Sequence, residues 1–261
     1  MNLKKITAAA ALTIGSIGSA YAVPVALELS LVIDVSGSVS GTEYTLQVDG
    51  YKAAFLDAGV QAGITSFADG IAVNVIQFSS NAIQSMTWVH LTNAASITAF
   101  ANAIGAMARD GTIGSSTDVE DGMTVSTASF ANNGFEGTRL VMDVSGDGHQ
   151  NFDPACSGAA PYNVACAAVQ AARAAAVAGG ITINGLAIED GTYGVNGLTT
   201  WYTTNVMSAG GFVETANDFA DFTRAATAKI GREINRTPEP GTLALVGLAI
   251  AGLGFGARRR G

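Results

Sequence analysis

Apolar runs suited to buried strands alternate along the chain with stretches whose apolar residues recur at helical spacing. The apolar runs predict strands over residues 31–33, 71–78, 139–144 and 181–188, and an edge strand or hairpin arm over 86–91. The helical spacing predicts helices over residues 44–58, 94–107, 119–130, 164–177 and 218–234. This alternation predicts an α/β fold, with a doubly wound, mainly parallel central sheet flanked by helices.

The first 22 residues do not fit this alternation. Lys4 and Lys5 precede an apolar stretch over residues 6–17, which is followed by the small-residue sequence Ala20-Tyr21-Ala22. A basic start, an apolar centre and small residues at the end are typical of a secretory signal peptide. We therefore predict export, cleavage by signal peptidase after Ala22, and a folded domain that spans residues 23–236.

The last segment, residues 237–261, contains Pro238-Glu239-Pro240, an apolar run over 243–255 and three arginines at 258–260. These three parts, in this order, closely resemble the PEP-CTERM sorting tail of Gram-negative bacteria. The resemblance implies a transmembrane helix in the inner membrane with its arginines in the cytoplasm, as the positive-inside rule expects, until an exosortase cuts near the motif. The protein would then lie at the cell surface, in the extracellular matrix, or free after secretion.

A plain membrane anchor is the alternative interpretation of this tail. Its apolar run is shorter than the roughly 20 residues that a membrane-spanning helix needs, which favours the sorting signal.

Acidic residues outnumber basic ones, with 21 Asp and Glu against 13 Lys and Arg. The excess is larger within residues 23–236, because Lys4, Lys5 and the three terminal arginines lie outside that range. Such a surface repels nucleic acid and attracts divalent cations. We therefore expect no nucleic-acid partner.

Three oxygen-bearing side chains follow the first buried strand. Asp34, Ser36 and Ser38 alternate along the chain, so an extended backbone places them on one face. A carboxylate and two hydroxyls are hard oxygen donors, which suit Mg²⁺, Mn²⁺ or Ca²⁺ better than zinc. Ser40 followed by Glu43 fits a capping box, which predicts a helix start directly after these residues.

The sequence Asp34-Val35-Ser36-Gly37-Ser38 resembles the DxSGS signature of the von Willebrand factor A fold, whose metal ion-dependent adhesion site begins with these residues. Thr117, in a hydroxyl-rich loop before a helix, lies where the threonine of that site falls. An apolar strand then ends in Ser145-Gly146-Asp147-Gly148, which resembles the closing Ser-Asp-Gly of the site with one glycine inserted. We select Asp147 as the closing carboxylate, with Asp143 as the alternative.

The phrases at residues 36–44 and 144–148 resemble the DUF1194 group within that fold. The resemblance implies that Ser36, Ser38 and Thr117 contact a divalent cation, Mg²⁺ above all, through their hydroxyls. Asp34 and Asp147 would hold the ion directly or through water.

These features predict an exported, surface- or matrix-associated binding protein that captures an acidic protein or polysaccharide through the cation. A metal-stabilised structural matrix protein is the alternative, and a metal-assisted hydrolase is less favoured. The only histidines are His90 and His149, and no GxSxG motif is present, so we expect no enzymatic activity. An EF-hand loop beginning at Asp143 is disfavoured because Pro154 stands where its bidentate glutamate belongs.

Cys156 and Cys166 are the only cysteines. In an exported chain they are expected to form a disulfide, which would stabilise the fold by about 2 to 3 kcal/mol on the loop-entropy argument. Two free buried thiols are the alternative.

Overall fold

The computed structural model describes residues 22–153, 156 and 164–235. The predicted signal peptide, apart from its last residue, and the predicted sorting tail with its transmembrane helix lie outside the described residues. Among the helices within this described part, none combines the length and the apolar character needed to cross a membrane.

The centre of the molecule is a six-stranded sheet with the order β4-β3-β2-β6-β7-β8. All neighbouring strands run parallel except β4, which lies antiparallel to β3 at one edge. Its strands are β2 (Leu27–Asp34), β3 (Ile71–Phe78), β4 (Ala82–Leu91), β6 (Leu140–Gly146), β7 (Ile181–Ile188) and β8 (Val213–Ala216). Two short strands, β1 (Val23–Val25) and β5 (Phe135–Gly137), form a separate parallel pair.

Seven helices are described, and they cover both faces of the sheet. They are α1 (Gly41–Leu56), α2 (Ala58–Thr65), α3 (Ala94–Gly105), α4 (Val119–Ser129), α5 (Ala167–Ala178), α6 (Gly197–Asn205) and α7 (Phe222–Asn235). One hydrophobic core lies between the sheet and α1, α2, α3 and α7. A second core lies between the opposite face and α4, α5 and α6. The predicted doubly wound α/β architecture is therefore confirmed.

Strand β2 is the centre of this arrangement, since it pairs with β3 on one side and β6 on the other. Every residue of β2 is buried. A strand covered on both faces needs a nearly continuous apolar run, and Leu31, Val32 and Ile33 supply it. The strand ends at Asp34, so the first polar side chains of the next turn emerge at the carboxyl edge of the sheet, where α/β folds bind ligands.

The connection from β6 to α5 carries a disulfide between Cys156 and Cys166. The expected bridge is thus confirmed. Cys156 follows Asp147 by nine residues in the sequence.

Candidate metal site

The turn between β2 and α1 is shaped by hydrogen bonds at both of its ends. At its start, the backbone N–H of Ser36 donates to Asp34 Oδ1 over 2.8 Å. At its end, Ser40 and Glu43 form the predicted capping box: the N–H of Ser40 donates to Glu43 Oε2 over 2.7 Å, and the N–H of Glu43 donates to Ser40 Oγ over 3.3 Å. This cap fixes where α1 begins. Ser36 and Ser38 therefore lie in a short turn that is held by hydrogen bonds at its start and at its end.

The structure brings four of the five predicted side chains into contact, and Asp34 joins them through the N–H of Ser36. The hydroxyl oxygens of Ser36 and Ser38 lie 3.1 Å apart. Thr117 Oγ1 donates to Ser36 Oγ over 3.1 Å, and Ser38 Oγ donates to Asp147 Oδ1 over 2.7 Å. Three separate stretches of chain, at the ends of β2 and β6 and before α4, therefore present oxygen atoms to one another.

Thr117 is held in place by Asn151, a contact that the sequence pattern did not predict. The backbone N–H of Thr117 donates to Asn151 Oδ1 over 2.7 Å, and Asn151 Nδ2 donates to Thr117 Oγ1 over 3.3 Å. The backbone N–H of Asn151 also donates to the Thr117 carbonyl over 2.9 Å. These contacts join the loop after β6 to the loop before α4. Only the amide side chain at 151, four residues after Asp147, hints at them in the sequence.

Asp34 is fully buried, and its second carboxylate oxygen, Oδ2, has no hydrogen-bond partner among the described residues. Gly146 allows this close packing, because a Cβ there would lie 2.7 Å from Asp34 Oδ2 and 2.7 Å from the Tyr202 hydroxyl. The glycine inserted next to Asp147 thus lies where β6 passes directly against Asp34.

The two carboxyl groups of the site have raised pKa values. Burial raises the pKa of Asp34 to about 8, and the charge of Asp147 contributes to this shift. Burial likewise raises the pKa of Asp147 to about 6, with further contributions from Asp190 and Glu43. Ionising both carboxyls in this environment is unfavourable without a positive charge close by.

This donor set fits a hard divalent cation. It combines three hydroxyls with two carboxylates, and the buried Oδ2 of Asp34 accepts no hydrogen bond from the part of the chain that the structure describes. Among the described residues, no cluster of three or more His, Cys, Asp and Glu side chains could hold a metal ion. Three of the five donors are neutral hydroxyls, and hard oxygen donors of this kind suit Mg²⁺ or Mn²⁺.

Asp143, the alternative closing carboxylate, lies away from these residues. It is fully buried further back along β6 and forms an ion pair with Lys229 of α7. Lys229 Nζ also lies 2.8 Å from Glu233 Oε1, which in turn accepts a hydrogen bond from Asn184 Nδ2 over 2.8 Å. Asp143 therefore belongs to a buried charge cluster that joins α7 to the sheet.

His149 lies on the loop directly after Asp147. Its Nδ1 is 3.0 Å from the hydroxyl of Tyr193, and its ring packs edge-on against Tyr193 and Trp201. Burial lowers the pKa of His149. The imidazole thus contacts an aromatic group on the β7–α6 loop.

The overall architecture is found in several solved structures. The mussel byssus protein proximal thread matrix protein 1, in a structure with a zinc-occupied MIDAS motif, is 19% identical over 80% of this chain and 48% of that chain, with a TM-score of 0.56. A von Willebrand factor type A protein from Catenulispora acidiphila is 15% identical over 81% of this chain and 43% of that chain, with a TM-score of 0.54. The open conformation of the pilus adhesin SpaC from Lactobacillus rhamnosus GG is 16% identical over 80% of this chain and 30% of that chain, with a TM-score of 0.54.

The chain spans less than half the length of each of these three proteins, and at these identities the likeness shows the fold alone. These structural relatives are matrix or adhesin proteins and a von Willebrand A protein. A comparison with curated protein sequences finds no significant match.

Two family profiles match this sequence, one over the folded domain and one over the C-terminal tail. Residues 236–260 match the PEP-CTERM protein-sorting motif, which marks a protein exported in Gram-negative bacteria. Residues 24–238 match the profile of DUF1194. This range contains every described helix and strand except the first residue of β1, Val23. The chain therefore belongs to DUF1194, a protein family of unknown function, and has the von Willebrand A fold.

Proposed function

We propose that this exported protein binds a divalent cation at Asp34, Ser36, Ser38, Thr117 and Asp147 and uses it to capture an acidic ligand. The proposal rests on one observation: oxygen donors from three chain segments lie in contact beside Asp34 Oδ2, a buried oxygen without a hydrogen-bond partner among the described residues. The zinc-occupied MIDAS motif of the mussel protein supports a divalent cation in this fold. We favour Mg²⁺ here because most of the donors are hydroxyls.

The five side chains would contact the ion through two kinds of oxygen. Ser36, Ser38 and Thr117 would hold the ion through neutral hydroxyls, and Asp34 and Asp147 through carboxylates, directly or through water. The bound ion would supply a positive charge that attracts a carboxylate of the ligand, since hydroxyl ligands neutralise little of it. Ser38 is exposed whereas Asp34 and Ser36 are buried, so a ligand would approach from the side of Ser38.

The domain organisation and location belong to this proposal. Residues 1–22 would be removed by signal peptidase, residues 23–236 would form the binding domain, and residues 237–261 would be the exosortase substrate. The tail would hold the protein in the inner membrane before cleavage. The cleaved product would then act at the cell surface or in the matrix, where its ligand is an acidic protein or polysaccharide.

We propose binding rather than catalysis as the role of the ion. His149 is the histidine nearest to Asp147 in sequence, and it contacts the Tyr193 hydroxyl. If the protein only binds, His149→Ala should leave capture of an acidic ligand within about twofold of the natural protein. Loss of capture in this variant would favour a role for the imidazole in chemistry at the ion.

Capture is tested on surfaces that differ in a single functional group. A resin that presents glutamate is compared with one that presents glutamine, in Mg²⁺ and in EDTA. We expect Mg²⁺-dependent retention on the glutamate resin only, and its loss in Asp34→Ala. Asp49→Ala is the matched control, because Asp49 is an exposed carboxylate on α1 away from the site. It should be retained like the natural protein.

Two outcomes would contradict the proposal. Equal retention on both resins, or retention that survives EDTA, would exclude capture through the ion. Tight Mg²⁺ binding without any retention would favour the alternative of a structural matrix protein whose cation only stabilises the fold.

A further inference from the structure

Arg109 binds the backbone of the turn that carries the two site serines. This half-buried side chain lies between α3 and the loop that contains Thr117. Its Nε and Nη2 donate to the carbonyl of Val35 over 3.1 and 2.6 Å. Nη2 also donates to the carbonyl of Ser36 over 2.6 Å, and Nη1 donates to the carbonyl of Val39 over 2.7 Å. One guanidinium therefore contacts three carbonyls within five residues.

The backbone around Arg109 is itself held by Gln77, a fully buried residue of β3. Gln77 Oε1 accepts from the N–H of Asp110 over 2.8 Å, and Gln77 Nε2 donates to the carbonyl of Ala108 over 2.9 Å. Both neighbours of Arg109 are thus attached to a central strand. The backbone that carries the guanidinium is consequently anchored to the sheet by hydrogen bonds.

A second contact joins the same two segments. The N–H of Gly37 donates to the carbonyl of Ser115 over 2.7 Å, and Ser115 lies two residues before Thr117. The segment from Arg109 to Thr117 therefore holds the serine turn at two places and supplies a hydroxyl to the site.

The guanidinium also determines which oxygens of the turn remain free to coordinate a cation. Carbonyl oxygens are good ligands for hard cations, yet those of Val35, Ser36 and Val39 accept hydrogen bonds from Arg109. The hydroxyls of Ser36 and Ser38 contact Thr117 and Asp147 instead. A planar group with several fixed N–H donors can hold three carbonyls in one geometry, whereas the ammonium of lysine is a compact point charge.

We infer that Arg109 is a positioning residue for the cation site, which holds the Val35–Val39 turn so that the hydroxyls rather than the carbonyls face the ion. This inference rests on the proposed function. Groups that orient metal ligands typically change metal affinity by about 10- to 100-fold when they are removed. Arg109 is such a group, although it contacts no predicted ligand side chain.

The test is the affinity of the full chain, purified in detergent, for Mn²⁺ alone. We expect Arg109→Ala to weaken Mn²⁺ binding by about 10- to 100-fold, and Arg109→Lys to restore only part of the loss, because lysine keeps the charge without the planar donors. Arg173→Ala is the matched control. Arg173 Nη1 also donates to two carbonyls, those of Thr204 and Met207 over 2.8 and 3.2 Å, near the end of α6.

The control separates positioning from general stability. Melting temperatures in EDTA are measured for all variants, and Arg173→Ala should lose stability while its Mn²⁺ affinity stays within about threefold of the natural value. If Arg109→Ala fails to fold, Arg109→Lys carries the test and should bind Mn²⁺ more weakly than the natural chain.

Natural Mn²⁺ affinity in Arg109→Lys would overturn the role of the planar group, and natural affinity in Arg109→Ala would overturn the inference as a whole. A natural chain that binds no Mn²⁺ would overturn both the inference and the proposed function. Failure of the inference about Arg109 can thus be told apart from failure of the proposed function, because only the second abolishes Mn²⁺ binding by the natural chain.

Discussion

The carboxyl group of Asp34 lies at the end of a fully buried strand. Among the residues that the structure describes, hydrogen bonds reach only its Oδ1. Burial raises the pKa of Asp34 to about 8, well above the value of roughly 3.9 expected in the unfolded chain. Between these values the folded protein binds a proton that the unfolded chain has lost. At the scale of the residue, Asp34 therefore favours folding at low pH when no cation is bound.

This difference predicts how the stability of the metal-free protein depends on pH. A group whose pKa is raised by folding lowers the free energy of unfolding as the pH rises through that interval. Between pH 5 and pH 8 in EDTA, the natural protein should therefore lose more stability than Asp34→Asn, as measured by urea unfolding. Taking the difference between the two proteins removes groups that do not interact with Asp34, but it retains Asp147, whose charge acts on Asp34. His149 has a lowered pKa, which acts in the opposite direction.

Saturating Mg²⁺ should reduce the pH dependence of the natural protein, because a cation favours the ionised carboxylates. An identical pH dependence in the natural protein and in Asp34→Asn would contradict the environment assigned to Asp34.

Gly146 gives a second prediction at the scale of a single residue. A Cβ at this position would lie 2.7 Å from both Asp34 Oδ2 and the Tyr202 hydroxyl, and both of these side chains are fully buried. Gly146→Ala should therefore cost about 1 to 3 kcal/mol of stability, the usual range for overpacking, and should weaken metal binding. Gly111→Ala is the control, since a Cβ there meets nothing within 4 Å. Equal melting temperatures for the two variants would contradict the close packing of β6 against Asp34.

At the scale of elements, α7 is joined to the sheet by charge as well as by apolar packing. Lys229 is fully buried and pairs with Asp143 of β6 and with Glu233. Removing one partner of a buried pair typically costs about 3 to 5 kcal/mol. The cluster therefore contributes to holding the last helix in place, and it contains none of the five proposed ligands.

The two substitutions Asp143→Asn and Asp147→Asn should consequently have different main effects, the first on stability and the second on Mg²⁺ affinity. We expect Asp143→Asn to lower the free energy of unfolding by about 3 kcal/mol while Mg²⁺ affinity remains within about twofold of the natural value. Asp147→Asn should weaken Mg²⁺ binding at least tenfold with a smaller loss of stability. Calorimetric titration and urea unfolding measure the two effects. A loss of Mg²⁺ affinity in Asp143→Asn alone would make Asp143 the closing carboxylate instead.

Sequence pattern predicted most of the long elements, although it covered only residues 86–91 of β4 (Ala82–Leu91), and it missed the short ones. The predicted strands over 71–78 and 181–188 match β3 and β7 in full, because continuous apolar runs are required for strands buried on both faces. By contrast, β1 and β5 have three residues each and exist through pairing with each other across the chain. Helix α6 was missed because its sequence, GLTTWYTTN, is rich in threonine, a residue with low helix propensity.

The candidate site was predictable to a similar degree. Asp34, Ser36 and Ser38 follow from the alternation of an extended chain, whereas Thr117 and Asp147 required a family resemblance because their loops are distant in sequence. The contributions of Arg109 and Asn151 depend on contacts with backbone atoms. Every residue except proline has the same backbone donor and acceptor, so the sequence does not show which of them a side chain contacts. The amide at position 151 is only a hint.

At the scale of the whole molecule, two helical layers and a mostly parallel sheet bring three loops to one edge. The loop after β2, the loop before α4 and the loop after β6 each contribute ligand candidates, and none of these loops could form the site alone. A cation that bridges them would bind the folded chain and not the unfolded one. Ligand binding of this kind raises stability by RT ln(1 + [L]/Kd), about 2.7 kcal/mol at a hundredfold excess over Kd.

The most direct measurement is thermal unfolding of the full chain in EDTA, Mg²⁺, Mn²⁺ and Ca²⁺, for the natural protein and for Asp34→Ala. We predict a metal-dependent rise in melting temperature, largest with Mg²⁺ or Mn²⁺, that disappears in Asp34→Ala. The absence of a rise with every ion, or an equal rise in Asp34→Ala, would contradict a cation site at the end of β2.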